Sequence, residues 1–117
     1  MPPCNAMGYF VDGRVSLVVG THTHAPTADY RILPGHTAFI SDVGMTGAFE
    51  SIIGMNKEEP LNRFLRKLPG AKFEPAGGPA TLCGLAVETD DATGLAVKVG
   101  ALRLGGILEE ARPDFWD

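Results

Sequence analysis

The sequence has 117 residues, a formal net charge of −4, 44% apolar residues and 21% charged residues. This composition is typical of a soluble globular protein with one modest core. It lacks the basic patch of a nucleic-acid binder, and no apolar run approaches the roughly 20 residues needed to cross a bilayer. We therefore expect neither a membrane partner nor a stable nucleic-acid complex.

The cysteine pattern bears on the compartment. Cys4 and Cys83 form neither a CxxC pair nor a disulfide framework. Residues 1–4 do not show the basic segment and apolar run of a signal peptide. We expect a cytoplasmic protein, since thiols stay reduced in that compartment.

The first half of the chain predicts one short helix and two strands. The helix is expected at residues 5–12. Residues 14–19 form a β-branched and aliphatic run between two glycines, which predicts a buried strand. A second strand is expected at residues 37–41. Residues 20–30 and 44–54 read as loops because they are polar or rich in glycine.

The clearest helix is expected at residues 61–68. Its apolar side chains recur at i, i+3, i+4 and i+7, which is the period of an amphipathic helix; they are Leu61, Phe64, Leu65 and Leu68. Pro60 suits the first turn, and Pro69-Gly70 is a stop signal.

A β-hairpin is expected near the C-terminus. Residues 81–89 and 95–104 are strand-like runs, and residues 90–94 form the connecting loop, in which Gly94 can take a positive φ. Val97 and Val99, with Ala101 as a further candidate, alternate with Lys98 and Gly100, which suggests one buried face. The acidic tail, residues 105–117, ends in Phe115-Trp116, which needs a partner surface or stays loose. The whole of residues 1–117 reads as one domain, α/β or α+β in class.

Two histidines follow the first predicted strand. In an extended segment the side chains of residues i and i+2 point to one side, so His22 and His24 can each offer an imidazole to a metal. Zn, Mn and Fe all accept imidazole, and sites in α/β folds gather at the carboxyl ends of strands. The alternative is a surface loop with two unrelated histidines, because His-x-His pairs also arise by chance.

Short motifs around this loop carry a family resemblance. They are DGRV at 12–15, VGTHTH at 19–24, TAD at 27–29, ILPG at 32–35, ISDVGMTG at 40–47 and SIIGM at 51–55. In this order and spacing they resemble the YmdB-like metallophosphoesterases of the calcineurin-like superfamily, over residues 6–104. The resemblance implies the later half of a β-sandwich domain, a divalent Mn, Zn or Fe cofactor, and a phosphoester substrate.

The resemblance also assigns residues. His22 and His24 match histidines that bind one metal each in the family. Asp42 matches a loop near the site. The family's other ligands and its acid histidine lie in an earlier half whose motifs do not occur in this sequence.

Three further residues have open interpretations. His36 is either an exposed turn residue or a replacement ligand or proton donor. Asp29 is expected to fix the histidine loop through hydrogen bonds, with support of a metal-bound histidine as the alternative. Asp42 carries the same ambiguity, so it and His36 stay weak catalytic candidates.

Two functions of different class follow. One is a metal-dependent phosphoesterase, most simply a phosphodiesterase acting through a metal-activated water. The other is a non-catalytic piece that binds metal or assists assembly. Two histidines do not complete a metal site, and the strand at residues 14–19 would lack sheet neighbours. We therefore expect a homo-oligomer, most simply a dimer, with the metal near its interface.

Overall fold

A computed structural model describes residues 3–67, 72 and 74–116 of the protein. The described residues form a mixed α/β fold of two helices and six strands. In chain order these are α1 (Pro3–Val11), β1 (Leu17–Val19), β2 (Arg31–Ile32), β3 (Ala38–Ile40), β4 (Gly47–Ala48), α2 (Glu58–Arg66), β5 (Ala80–Thr89) and β6 (Ala96–Leu104). Neither helix is long and apolar enough to cross a membrane.

The first sheet has the order β1-β3-β2. β1 runs parallel to β3, with Leu17 opposite Ala38, and β2 runs antiparallel to it. All three residues of β3 are buried. Helix α1 lies close to this strand because Gly8 has no side chain: a Cβ there would come within 2.8 Å of the Phe39 ring. The core of the sheet is therefore β3.

The predicted strand at 14–19 is shorter and more exposed than expected. It narrows to β1, and Val19 is 43% exposed. Among the described strands it pairs with β3 alone, so its outer edge is open. We expected this strand to lack sheet neighbours. That expectation was wrong for the edge that pairs with β3, and it holds for the other edge among the described strands.

The second sheet, β4-β5-β6, is dominated by the hairpin β5–β6. Gly94 takes φ of 75° in the connecting loop and donates to the carbonyl of Asp90 at 2.7 Å, as the sequence predicts. The predicted buried face was wrong at Val97, which is 50% exposed, and right at Ala101, which is buried. Gly100, expected on the other face, is buried as well.

The C-terminal tail explains that error. Its residue Ala111 exchanges two backbone hydrogen bonds of 2.9 Å with Arg103 of β6. Pro113 then lies over Gly100, where a Cβ would come within 2.9 Å of the proline. The ring of Phe115 lies 5.9 Å from the Lys98 ammonium. The tail thus covers the small residues of β6 instead of remaining loose.

The molecule is flat. Its principal extents are 54 × 34 × 17 Å and its radius of gyration is 17.1 Å, against about 13 Å for a compact chain of this length. Its accessible surface is 7695 Å², whereas a compact monomer of 12.4 kDa exposes about 6,100 Å².

Helix α2 shows this exposure most clearly. It spans Glu58–Arg66, with Pro60 in its first turn as predicted, and none of its residues is buried. Phe64 is 78% exposed and Leu65 67% exposed. Lys67 closes the helix in a left-handed conformation, φ 58°. The other predicted members of the apolar face and stop signal, residues 68–70, lie outside the described residues.

Candidate metal-binding loop

The loop with His22 and His24 lies at the carboxyl ends of two parallel strands. It leaves β1 while the following chain leaves β3. Gly20 links the two: its N–H donates to the Ile40 carbonyl at 3.2 Å and its carbonyl accepts from Val43 at 2.9 Å. Both histidines are exposed. The histidine loop therefore lies where it was expected, after the carboxyl end of a strand.

The loop backbone differs from the extended segment assumed in the sequence argument. Residues 22–25 are bends, and His24 has a φ of 67°. Alternation of side chains in an extended strand therefore does not describe how the two imidazoles are oriented. Their role as metal ligands stays a prediction, without that support.

The side chain of Asp42 fixes the histidine loop through hydrogen bonds. This side chain is buried, and it accepts from the Thr23 hydroxyl at 2.7 Å and from the Gly44 N–H at 2.8 Å. The backbone N–H of Thr23 donates to the same carboxylate. Burial acts to raise the pKa of Asp42, but these hydrogen bonds, with that of the His24 N–H, outweigh it and hold the pKa below its ordinary value. Both carboxylate oxygens are engaged within the loop.

Asp29 closes the other end of the loop, as expected. It accepts from the Thr27 hydroxyl at 2.7 Å, from the Ser41 N–H at 3.1 Å and from the Ser41 hydroxyl. Burial opposes ionisation, yet these bonds lower the pKa of Asp29. The carboxylate thus joins the histidine loop to the end of β3.

His36 lies at the opposite end of β3. It is an exposed turn residue with φ of 76°, its N–H bonded to the Leu33 carbonyl and its carbonyl to the Ala96 N–H, both at 2.8 Å. β3 alone spans about 10 Å at 3.3 Å per residue. The structure therefore does not bring His36 together with His22 and His24.

The residues present fit part of a metal site. Two exposed imidazoles are suitable ligands for a divalent transition metal. Within residues 3–67, 72 and 74–116, however, no group of three or more His, Cys, Asp or Glu side chains is placed to hold a metal ion. A catalytic zinc site uses about three protein ligands and one open position. The described residues supply two.

A pocket of about 170 Å³ opens beside His24. The N–H of Met45 donates to the His24 carbonyl at 2.9 Å, which joins the pocket wall to the histidine loop. A second pocket, of about 370 Å³, shares two of the lining residues. The lining of the first is Thr23, His24, Ala25, Met45, Phe49, Ser51 and Ile53.

One wall of this pocket is a strained two-residue turn. Ile52 and Met55 exchange backbone hydrogen bonds of 3.0 and 2.9 Å, and both residues between them have positive φ: 47° at Ile53 and 86° at Gly54. This is a type I′ turn, which favours Asn, Asp or Gly at its first central position. A left-handed conformation costs a residue with a Cβ about 1–2 kcal/mol. Gly54 alone signalled the turn in the sequence.

Comparison with known proteins agrees with this fold. The YmdB-like protein family model matches residues 4–102. The chain is 52% identical over 94 residues to a 2′,3′-cyclic-nucleotide 2′-phosphodiesterase of Bacillus subtilis (strain 168), covering 80% of this chain and 35% of that protein. It is 41% identical over 103 residues to a putative phosphatase/phosphodiesterase of Mycoplasma pneumoniae, covering 86% and 36%.

Solved structures give the same result. A hypothetical protein from Thermus thermophilus matches with a TM-score of 0.81 and 38% identity, over 88% of this chain and 40% of that one. A novel phosphatase from Mycoplasma pneumoniae matches with a TM-score of 0.80 and 40% identity, over 86% and 36%. The chain thus spans little more than a third of the length of these relatives, and it belongs to the YmdB-like protein family.

Proposed function

We propose that this chain supplies His22 and His24 to the metal site of a phosphodiesterase. The observation that carries the proposal is the exposed histidine pair on a loop that Asp42 ties to the ends of two parallel strands. The activities named for the Bacillus subtilis and Mycoplasma pneumoniae relatives support a phosphoester substrate. A phosphodiester is the simplest choice that fits both names.

Each residue has a distinct task in this proposal. His22 and His24 hold a divalent Mn, Zn or Fe ion through their imidazoles. Such an ion, when bound, polarises a phosphoryl oxygen and lowers the pKa of its water. Asp42 and the Met45 N–H keep the loop in place. No described residue is assigned as the general acid.

The remaining ligands must come from another polypeptide segment, and a second copy of the chain is the simplest source. The flat shape and the open edge of β1 support assembly. The alternative, a non-catalytic metal-binding piece, is supported for the isolated chain because residues 3–67, 72 and 74–116 contain no group of three or more potential metal ligands.

Metal content and turnover test the proposal on the full chain. The protein is loaded with Mn or Zn, freed of excess metal, and assayed for bound metal and for hydrolysis of bis(p-nitrophenyl) phosphate. We expect stoichiometric metal and chelator-sensitive turnover, both lost when His22 and His24 are replaced by Ala. Metal with no turnover supports the non-catalytic alternative, and unchanged metal content in the double variant refutes both.

His36 provides a matched control. It is exposed and has a positive φ, as His24 does. His24→Asn and His36→Asn therefore impose the same backbone demand, which Asn tolerates. Only the first should release metal.

A further inference from the structure

Two residues with a side chain and a positive φ line the same pocket. They are His24, of the proposed metal loop, and Ile53, at the tip of the type I′ turn. Ile53 is β-branched, which makes a positive φ unfavourable for it. Its side chain is 58% exposed, so it does not belong to the core either. Residues that break local rules in this way cluster at binding sites.

The pocket offers apolar surface and few unused polar side-chain atoms. The hydroxyl of Thr23 is bonded to Asp42. The hydroxyl of Ser51 donates to the Ala48 carbonyl and accepts from the Gly54 N–H. Apart from Ala25 and the His24 imidazole, which the proposed function assigns to a metal, what remains for a ligand is the side chains of Met45, Phe49 and Ile53.

Such a pocket suits one flat ring. Its volume of about 170 Å³ lies below the range of about 300–1,000 Å³ for whole drug-sized ligands. Aromatic and apolar side chains bind nucleobases by stacking, which is tolerant of sequence because every base has a π-face. A base held there would lie beside the loop proposed to bind the metal ion.

We propose that Met45, Phe49 and Ile53 form a subsite for the nucleobase of a nucleotide phosphodiester, with Ile53 as a direct contact of the ring. This inference rests on the proposed function and names the alcohol portion of its substrate. Because the side-chain hydroxyls of the pocket are engaged, the subsite recognises a ring by shape. Adenine, guanine, cytosine and uracil should therefore bind within about fivefold of one another.

Binding to the full chain tests the subsite without any turnover. Adenosine is titrated while the methyl NMR signals of isoleucine and methionine are followed. We expect the signals of Ile53 and Met45 to move and that of Ile107 to stay. Ile107 is a matched control because it is 57% exposed and lies outside this pocket.

Variants sharpen the result. Ile53→Asn suits the turn and should fold, yet weaken adenosine binding at least fivefold; Ile107→Asn should leave it unchanged. Absent shifts at Ile53, or equal affinity in Ile53→Asn, overturn the subsite. If Ile53→Asn instead lowers the particle mass in light scattering with no effect on adenosine, Ile53 is a subunit contact and the inference is wrong.

A separate titration isolates the proposed function. Inorganic phosphate is added to the Mn-loaded protein and to the His22→Ala/His24→Ala protein. Phosphate binding that needs the histidines, without adenosine shifts at Ile53, leaves the proposed function standing and removes the subsite. Adenosine shifts without histidine-dependent phosphate binding confirm the ring pocket and refute the phosphodiesterase assignment.

Discussion

The carboxylate of Asp42 accepts both the hydroxyl and the backbone N–H of Thr23, the residue between the two histidines. One buried side chain thereby fixes the middle of the histidine loop at two atoms. Asp42 lies two residues after the end of β3, so it connects the loop to a strand whose three residues are all buried. This arrangement makes Asp42 a positioning residue for His22 and His24.

Replacing Asp42 with Asn should loosen the histidine loop. The Asn amide has about the same size as the carboxylate. One of its two terminal groups is an NH2 donor, however, so it cannot accept all the hydrogen bonds that the carboxylate accepts. Loss of partners for buried polar groups costs about 1–3 kcal/mol of unfolding free energy, which denaturant unfolding measures. Metal affinity should fall with stability. Thr23→Val removes the hydroxyl alone and should cost less; a larger loss there would contradict the central role of Asp42.

Asp29 should make stability depend on pH in acid. Its pKa is lower in the folded protein than in the unfolded chain, so the ionised form stabilises the fold above about pH 4. That contribution is lost as pH falls from about 4 through the folded pKa. Asp29→Asn should therefore lower the melting temperature at neutral pH, and the gap to wild type should narrow below about pH 4. A constant gap across this range would argue against the carboxylate.

Ile53→Asn should raise stability. Asn tolerates the left-handed conformation better than a β-branched residue, and the exposed Ile53 side chain contributes little burial. We expect about 1 kcal/mol more unfolding free energy, or about 4 °C in melting temperature. A melting temperature below that of Ile107→Asn would show that Ile53 packs on something in the fold.

Self-association should depend on the exposed aromatic residues of both helices. Phe10 of α1 is 70% exposed and Phe64 of α2 is 78% exposed. Light scattering at low micromolar concentration should give a mass above 12.4 kDa. Phe10→Glu and Phe64→Glu test the two helices separately, and at least one should lower the mass. A stable wild-type monomer with bound metal would remove both the assembly and a shared site.

The local sequence pattern was enough to predict the elements that have a regular hydrophobic period or a turn signal of their own. The hairpin was predicted to within one residue at each strand, because two strand-like runs flank a glycine loop. β2 and β4 were missed. Each is two residues long and exists through its pairing with β3 or β5. Two residues are too few to show an alternating pattern, and the partner of β4 lies more than thirty residues further along the chain.

Residue type and position after a strand led to the prediction of His22 and His24 as metal ligands, and that role stays a prediction. The loop geometry around them could not be predicted in the same way. The bends of the loop and the anchoring by Asp42 depend on contacts about twenty residues apart in sequence. Ile53 was classed with a loop, because an exposed isoleucine at a strained turn has no local signature beyond the glycine that follows it.

The burial of β3 has a consequence for how the molecule opens. Residues 37–40 hold the largest share of fully buried side chains, so their amide protons should be the last to exchange with deuterium, close to the limit set by global unfolding. Asp42 connects the histidine loop to the end of that strand. Because residues 21–25 are exposed, a protease should cut there through local opening while the amides of β3 stay protected.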